Sequence, residues 1–179
     1  MDNHEKNYPK NIFKYCPGCG SADFIFQTDH SFKCLDCGLH YYINSSASVA
    51  ALIENADGNL LLTRRLKDPM KGSLDLPGGF VDVLETAEEA LKREIKEELN
   101  LEIKEFQFFA SSPNRYRFDG IVYFTLDLAF LCKIVSFDDI KPDDDAADYI
   151  FLPPAQINLE EVGFESIKNI IASYRKQKS

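Results

Sequence analysis

The chain has 179 residues, 45% hydrophobic and 27% charged, enough to bury one core of ordinary size and carry one small appended module. Its formal net charge of -9 opposes broad contact with a phosphate backbone, so nucleic acid is not an expected partner. No apolar run approaches the roughly 20 residues needed to span a bilayer, and residues 1–14 hold no signal-like stretch, so the expectation is a cytoplasmic protein without a membrane partner.

In chain order, residues 1–15 are polar and aperiodic and read as a loosely held lead-in. Residues 16–43 contain two Cys-x-x-Cys pairs, Cys16 with Cys19 and Cys34 with Cys37, and aromatic-rich stretches at 23–27 and 40–43 that predict short strands. Residues 44–48 read as a joint, which divides the chain into 1–44 and 45–179. Apolar runs at 49–53 and 60–62 flank Asp57-Gly58 and predict a hairpin. A turn with paired glycines, Gly78 and Gly79, leads to a periodic segment at 86–99 that predicts a helix with Leu91, Ile95 and Leu99 facing the core. Thr86 and Glu89 have capping-box spacing, and Asn100 stands where a left-handed cap is expected. Strands are predicted at 106–110, 121–136 and 149–152, with an acidic loop at 138–148. Phe164, Ile167, Ile170, Ile171 and Tyr174 mark a closing amphipathic helix. Mixed strands with two helices predict an α+β fold, arranged as an α/β/α sandwich on a mixed sheet.

Glu94, Glu97 and Glu98 carry the strongest chemical signal, because positions i, i+3 and i+4 place three carboxylates on one helix face. Hard oxygen donors clustered in this way suit magnesium or manganese. Ala87 and Ala90 continue the stripe and are expected to leave room above the helix for ions or phosphate oxygens. By spacing alone, an ordinary acidic helix accounts for the same residues equally well.

The wider context decides between these readings. Gly79, Glu85 and the run Arg93-Glu94-Ile95-Lys96-Glu97-Glu98-Leu99-Asn100-Leu101 match the 23-residue Nudix box, with Asn100 in place of its late glycine. Leu76-Pro77-Gly78-Gly79 is a typical lead into the box, whereas Leu84 stands where many relatives have glycine. The chain therefore resembles the Nudix hydrolases, of a bacterial type with an N-terminal zinc ribbon. The resemblance implies a magnesium-dependent (or manganese-dependent) enzyme that breaks a pyrophosphate bond in a nucleoside diphosphate derivative by water attack at phosphorus. It further implies metal binding by Glu94, Glu97 and Glu98, bracing of the loop and helix by Arg93 with Glu85, and close backbone approach to metal or substrate at Gly78 and Gly79. The general base stays open among Glu94, Glu97, Asp145 and Asp148.

Four thiolates in two knuckles make a closed tetrahedral zinc site, structural because no ligand position is left for catalysis. Cys132 reads as a small core residue. A zinc ribbon joined to a Nudix domain is similar to the arrangement in NADH pyrophosphatases, but their downstream motif is matched at residues 111–119 only by a serine and a proline. Arg115, Tyr116 and Phe118 are candidate substrate contacts, by cation and by stacking. A small-molecule nucleotide is the expected partner, with a homodimer left open. The competing functional readings are an NADH or NAD pyrophosphatase and a non-catalytic nucleotide sensor.

Overall fold

The computed structural model describes residues 6–28, 30–142 and 146–178. It divides into two compact units, Met1–Ser45 with Arg115–Phe124, and Ser46–Asn114 with Thr125–Ser179.

The first unit contains a short helix α1 (Pro9–Ile12) and an antiparallel sheet of strands β1 (Phe24–Phe26), β2 (Ser31–Cys34) and β3 (His40–Tyr42), in that spatial order. Its small core joins Cys16, Phe24, Phe32 and Cys34, with the rings of Phe24 and Phe32 stacked 4.8 Å apart. Residues 7–13 are not a loose lead-in. Pro9 is buried, Tyr8 meets the Phe124 ring edge-on at 5.8 Å, and Val122 N–H donates to the Asn7 carbonyl at 2.8 Å. Their polarity hides three anchoring contacts.

The second unit contains strands β4 (Ser46–Ile53), β5 (Leu60–Arg65) and β6 (Leu74–Asp75), helix α2 (Ala87–Leu99), strands β7 (Ile103–Phe118), β8 (Ile121–Ile134) and β9 (Ala146–Leu152), and helix α3 (Glu165–Lys178). The tip of the β7–β8 pair, residues 115–124, belongs to the first unit. Two three-stranded sheets run in the orders β4-β8-β7 and β6-β5-β9, with β4 parallel to β8 and β5 antiparallel to both its neighbours.

Side chains alternate along the strands and separate into two cores. Val49, Ala51 and Ile53 of β4, Leu61 of β5 and Phe130 of β8 pack with Leu91, Ile95 and Leu99 of α2. Ala50, Leu52, Leu60, Leu62 and Ala129 pack with Ile167, Ile170, Ile171 and Tyr174 of α3. A helix therefore covers each side of the strands, the expected α/β/α sandwich. Cys132 lies in the first of these cores, where burial pushes its thiol up to about 12.

Two strand expectations are corrected. The Asp57-Gly58 connection links β4 and β5, but they pair only at Glu54 with Leu60 before entering different sheets. Strand β7 runs eight residues past 110 to a two-residue turn, in which Asp119 (φ 46) and Gly120 (φ 78) both adopt left-handed values. Such a turn matches the right-handed twist of its flanking strands. Among the described residues, no helix is long and apolar enough to cross a membrane.

Candidate active site

Helix α2 forms where its sequence predicts it. The Thr86 side chain accepts from Glu89 N–H, the Glu89 carboxylate accepts from Thr86 N–H at 2.9 Å, and Asn100 adopts φ 55, ψ 25 at the other end. The Asn100 amide also donates to the Asp139 carbonyl at 3.1 Å, a contact that glycine could not make. The caps fix the ends of the helix, and burial of Leu91, Ile95 and Leu99 fixes its rotation, from which the positions of the carboxylates follow.

The three glutamates occupy graded environments. Glu98 is buried at 8% exposure and accepts from Gly78 N–H at 3.0 Å. Glu94 is largely covered, and burial raises its carboxyl above the ordinary range against the pull of Arg93. Glu97 is half exposed. Ala90 is fully buried and Ala87 packs beside it in the α2 core, so neither leaves the space expected of them. The stripe through 87, 90, 94 and 98 rolls inward at both ends, leaving Glu94 and Glu97 at the rim.

Arg93 organises this rim. Its Nε and Nη2 donate to the two Glu85 oxygens at 2.9 Å each, Nη2 to the Phe80 carbonyl at 3.0 Å, and Nη1 to Glu94 at 2.7 Å and Glu97 at 3.2 Å. The paired, charge-assisted bonds from Arg93 hold the Glu85 carboxyl down at about 2, helped by Asp82 N–H at 3.0 Å. Arg93 and Glu85 thus brace the loop to the helix. Sequence reasoning missed the Phe80 carbonyl and the Asp82 amide, because backbone groups leave no residue signature.

The glycine loop is shaped by close approach. Its backbone pairs with β4 through Val49 N–H to the Gly79 carbonyl and Ala51 N–H to the Pro77 carbonyl, both at 2.8 Å. Gly78 has φ 145, and a Cβ there would collide with the Val49 carbonyl. A Cβ on Gly79 would stand 2.5 Å from the Glu94 carboxylate. Gly78 therefore yields to the strand and Gly79 to the carboxylate. Leu84 takes φ 67 in full exposure, the conformation that glycine would adopt more easily.

Asp148 is exposed in β9 and accepts from its neighbour Tyr149 N–H at 2.8 Å. Asp143, Asp144 and Asp145 lie outside the described residues. Arg115, Tyr116 and Phe118 belong to the first unit, whereas all the carboxylates of the rim belong to the second. In the first unit, the sulfurs of Cys16, Cys19, Cys34 and Cys37 all lie within 4.8 Å of one another, with Cys16 to Cys37 and Cys19 to Cys34 both 3.6 Å. The sulfurs of a tetrahedral site with Zn–S near 2.3 Å stand about 3.8 Å apart, so this donor set fits zinc. Gly18 N–H and Cys37 N–H point at the Cys16 and Cys34 sulfurs, at 3.4 and 3.5 Å.

The family model described as NUDIX domain matches residues 45–174. The ADP-ribose pyrophosphatase of Methanocaldococcus jannaschii is 34% identical over 140 residues, covering 77% of this chain and 78% of that protein. The NAD-capped RNA hydrolase NudC of Haemophilus influenzae is 30% identical over 124 residues, 69% of this chain but only 47% of that protein, so the chain spans about half the length of this relative. Among solved structures, a NUDIX hydrolase from Nitrosomonas europaea superposes with a TM-score of 0.69 at 22% identity, covering 93% of this chain and 92% of that one. The NUDIX domain of Shewanella oneidensis NrtR, complexed with ADP ribose, gives 0.61 at 20% identity, covering 76% and 90%. These structures share the fold, the first relative shares sequence across most of both chains, and the chain belongs to the Nudix family of pyrophosphohydrolases.

Proposed function

We propose that this chain hydrolyses the pyrophosphate bond of ADP-ribose or a closely related nucleoside diphosphate derivative, with magnesium or manganese held by Glu94, Glu97 and Glu98. The rim carries the reading, since Arg93 and Glu85 hold Glu94 and Glu97 beside a glycine loop whose amide fixes Glu98. A metal bound there supplies neutralisation of the phosphate charge and a water of lowered pKa. Glu98 is held by a backbone amide and cannot swing away. Glu85 fixes Arg93, and Arg93 limits the rotamers of Glu94 and Glu97, which keeps the donors poised. The choice of ADP-ribose rests on the relative with that activity, which matches over most of both chains. Zinc in the four-cysteine cluster would supply much of the folding energy of the ribbon.

The test is a panel of ADP-ribose, NADH, nucleotide sugars and oxidised nucleoside triphosphates, assayed with magnesium on wild type and Glu97→Gln. ADP-ribose should yield AMP and ribose 5-phosphate, and the variant should lose about 100-fold or more in kcat. A variant as active as wild type would remove the metal assignment, and preferential cleavage of NADH would move the substrate to the NADH pyrophosphatase reading. Elemental analysis should find about one zinc per chain.

A further inference from the structure

The glycine loop meets the rim glutamates at one end and leaves strand β6 at the other. Strand β6 pairs with β5 at two positions, Arg64 with Leu74 and Thr63 with Asp75, and bridges Val162 at one, so the sheet gives this entry few backbone bonds. Pro77 has no N–H, so Leu76 and Gly78 supply the only amide donors between β6 and Gly79. Both end on carboxylates, Leu76 on Asp75 Oδ1 at 2.9 Å and Gly78 on Glu98 at 3.0 Å. The loop is thus strung between Asp75 and a carboxylate of the rim.

Asp75 is in turn fixed by Arg65. The Arg65 Nη1 donates to Asp75 Oδ2 at 3.0 Å, its Nε donates to the Pro69 carbonyl at 2.8 Å, and its guanidinium lies 4.9 Å over the Phe164 ring. A planar fork spread over a carboxylate, a carbonyl and a ring is held in one orientation. Both side chains are largely covered, at 18% and 11% exposure. Charged groups act on Asp75 from two strands: Arg65 on β5 favours its ionised form, and Asp127 on β8 opposes it. Asp127 is itself buried and accepts from the hydroxyls of Thr125 at 3.1 Å, Ser48 and Ser166. A covered ion pair adds little stability over apolar residues of similar volume, so stability alone does not account for its place at the loop entry.

We infer that the Arg65–Asp75 pair positions the glycine loop for hydrolysis, holding its entry so that the Gly78 amide keeps Glu98 in place among the rim carboxylates. The kinetic consequence rests on the hydrolase reading above, whereas the coupling of Asp75 to Gly78 does not. Asp75 acts through the loop, as a positioning residue. Its ionised carboxylate makes a charge-assisted bond to Arg65, and protonation weakens that bond. Burial lifts Asp75 to about 6, so the hold is complete above about pH 7 and relaxes as pH falls towards about 5. Stability moves the other way over the same range, because burial favours the neutral acid. One carboxyl therefore sets activity against stability.

Two readouts on the full chain test this. The first is kcat and KM for ADP-ribose at saturating magnesium, from about pH 5 to about pH 8. Asp75→Asn should lower kcat at the upper end about fivefold with KM little changed, and should lose the rise in kcat that wild type shows near pH 6. Arg65→Gln should move that rise to higher pH by about one unit or more, a shift that lost packing would not produce. The second readout needs no turnover. The amide resonances of Leu76 and Gly78 should titrate near pH 6 in wild type and in Glu98→Gln, and should not do so in Asp75→Asn. If wild type cleaves no member of the panel while Gly78 still follows Asp75, the hydrolase reading fails and the positioning of the loop stands. A Gly78 resonance indifferent to Asp75 overturns the inference, and so does an acid limb unchanged in Asp75→Asn. A loss confined to KM overturns it as well, since Asp75 would then meet the substrate itself.

Discussion

Two adjacent glycines separate stability from chemistry. Gly78→Ala would force a Cβ against the Val49 backbone, which cannot move without breaking the β4 pairing, so loss of several kcal/mol of stability is expected. Gly79→Ala meets only the end of a side chain, the Glu94 carboxylate, which can rotate away. That variant should melt near the wild-type temperature yet lose about tenfold or more in kcat. Calorimetry and steady-state assays on the pair check the contrast, and two equally unstable variants would contradict it. Leu84 offers the converse case. A left-handed conformation costs a branched residue about 1–2 kcal/mol, and this side chain is fully exposed. Leu84→Gly should raise the melting temperature by a few degrees, unless the side chain has contacts that only a ligand provides.

At the scale of elements, α2 and its caps were legible because each signal is local. Thr86 and Glu89 are three residues apart, and Asn100 needs only its own φ. Thr86→Ala should cost about 1 kcal/mol, read from the shift of the urea midpoint; no shift would mean that Glu89 caps the helix unaided. The β4–β5 connection was misread because Asp57-Gly58 sets a turn but not the partners of the strands it joins. The parallel pairing of β4 with β8 spans more than 70 residues and is written in no local pattern. The Asp119-Gly120 dipeptide marks a turn, but Ser111-Ser112-Pro113-Asn114 has the composition of a break, which hides the strand β7 that runs through it. Pattern likewise could not show that Ala87 and Ala90 lie in the core, since helical position gives a face but not what covers it.

At the scale of the whole molecule, two carboxyls give opposite dependence on pH. Burial lifts Asp75 from 3.8 to about 6 against the pull of Arg65, whose Nη1 lies 3.0 Å away. Its folded pKa exceeds its unfolded one, so its contribution is full below about pH 4 and is lost as pH rises to about 6, a change of about 3 kcal/mol at most. Relative to wild type, Asp75→Asn should lack that decline in denaturant titrations from pH 4 to 7. Glu85 is depressed to about 2, so its stabilisation is present above about pH 4.5 and fades as pH falls. Glu85→Gln should flatten the acid side only, and a slope unchanged in either variant would discount the group concerned. Treatment with a zinc chelator should raise amide exchange at residues 16–42 and at 115–124, and leave α2 protected. Equal exchange in α2 would show that the two units unfold as one.

The strand pair that serves both units has a consequence for any attempt to move or remove the ribbon. Chain order puts a seam at residue 45, yet Val122 is fully buried with its amide on Asn7, and Phe124 packs on Tyr8. A chain beginning at residue 46 would keep the carboxylate rim but leave a hairpin tip whose inner face has lost its cover, and it should aggregate more readily than the full chain. Residues 1–45 grafted onto another protein would carry all four sulfurs but not the two strands they fold with. The ribbon is contiguous in sequence without being portable.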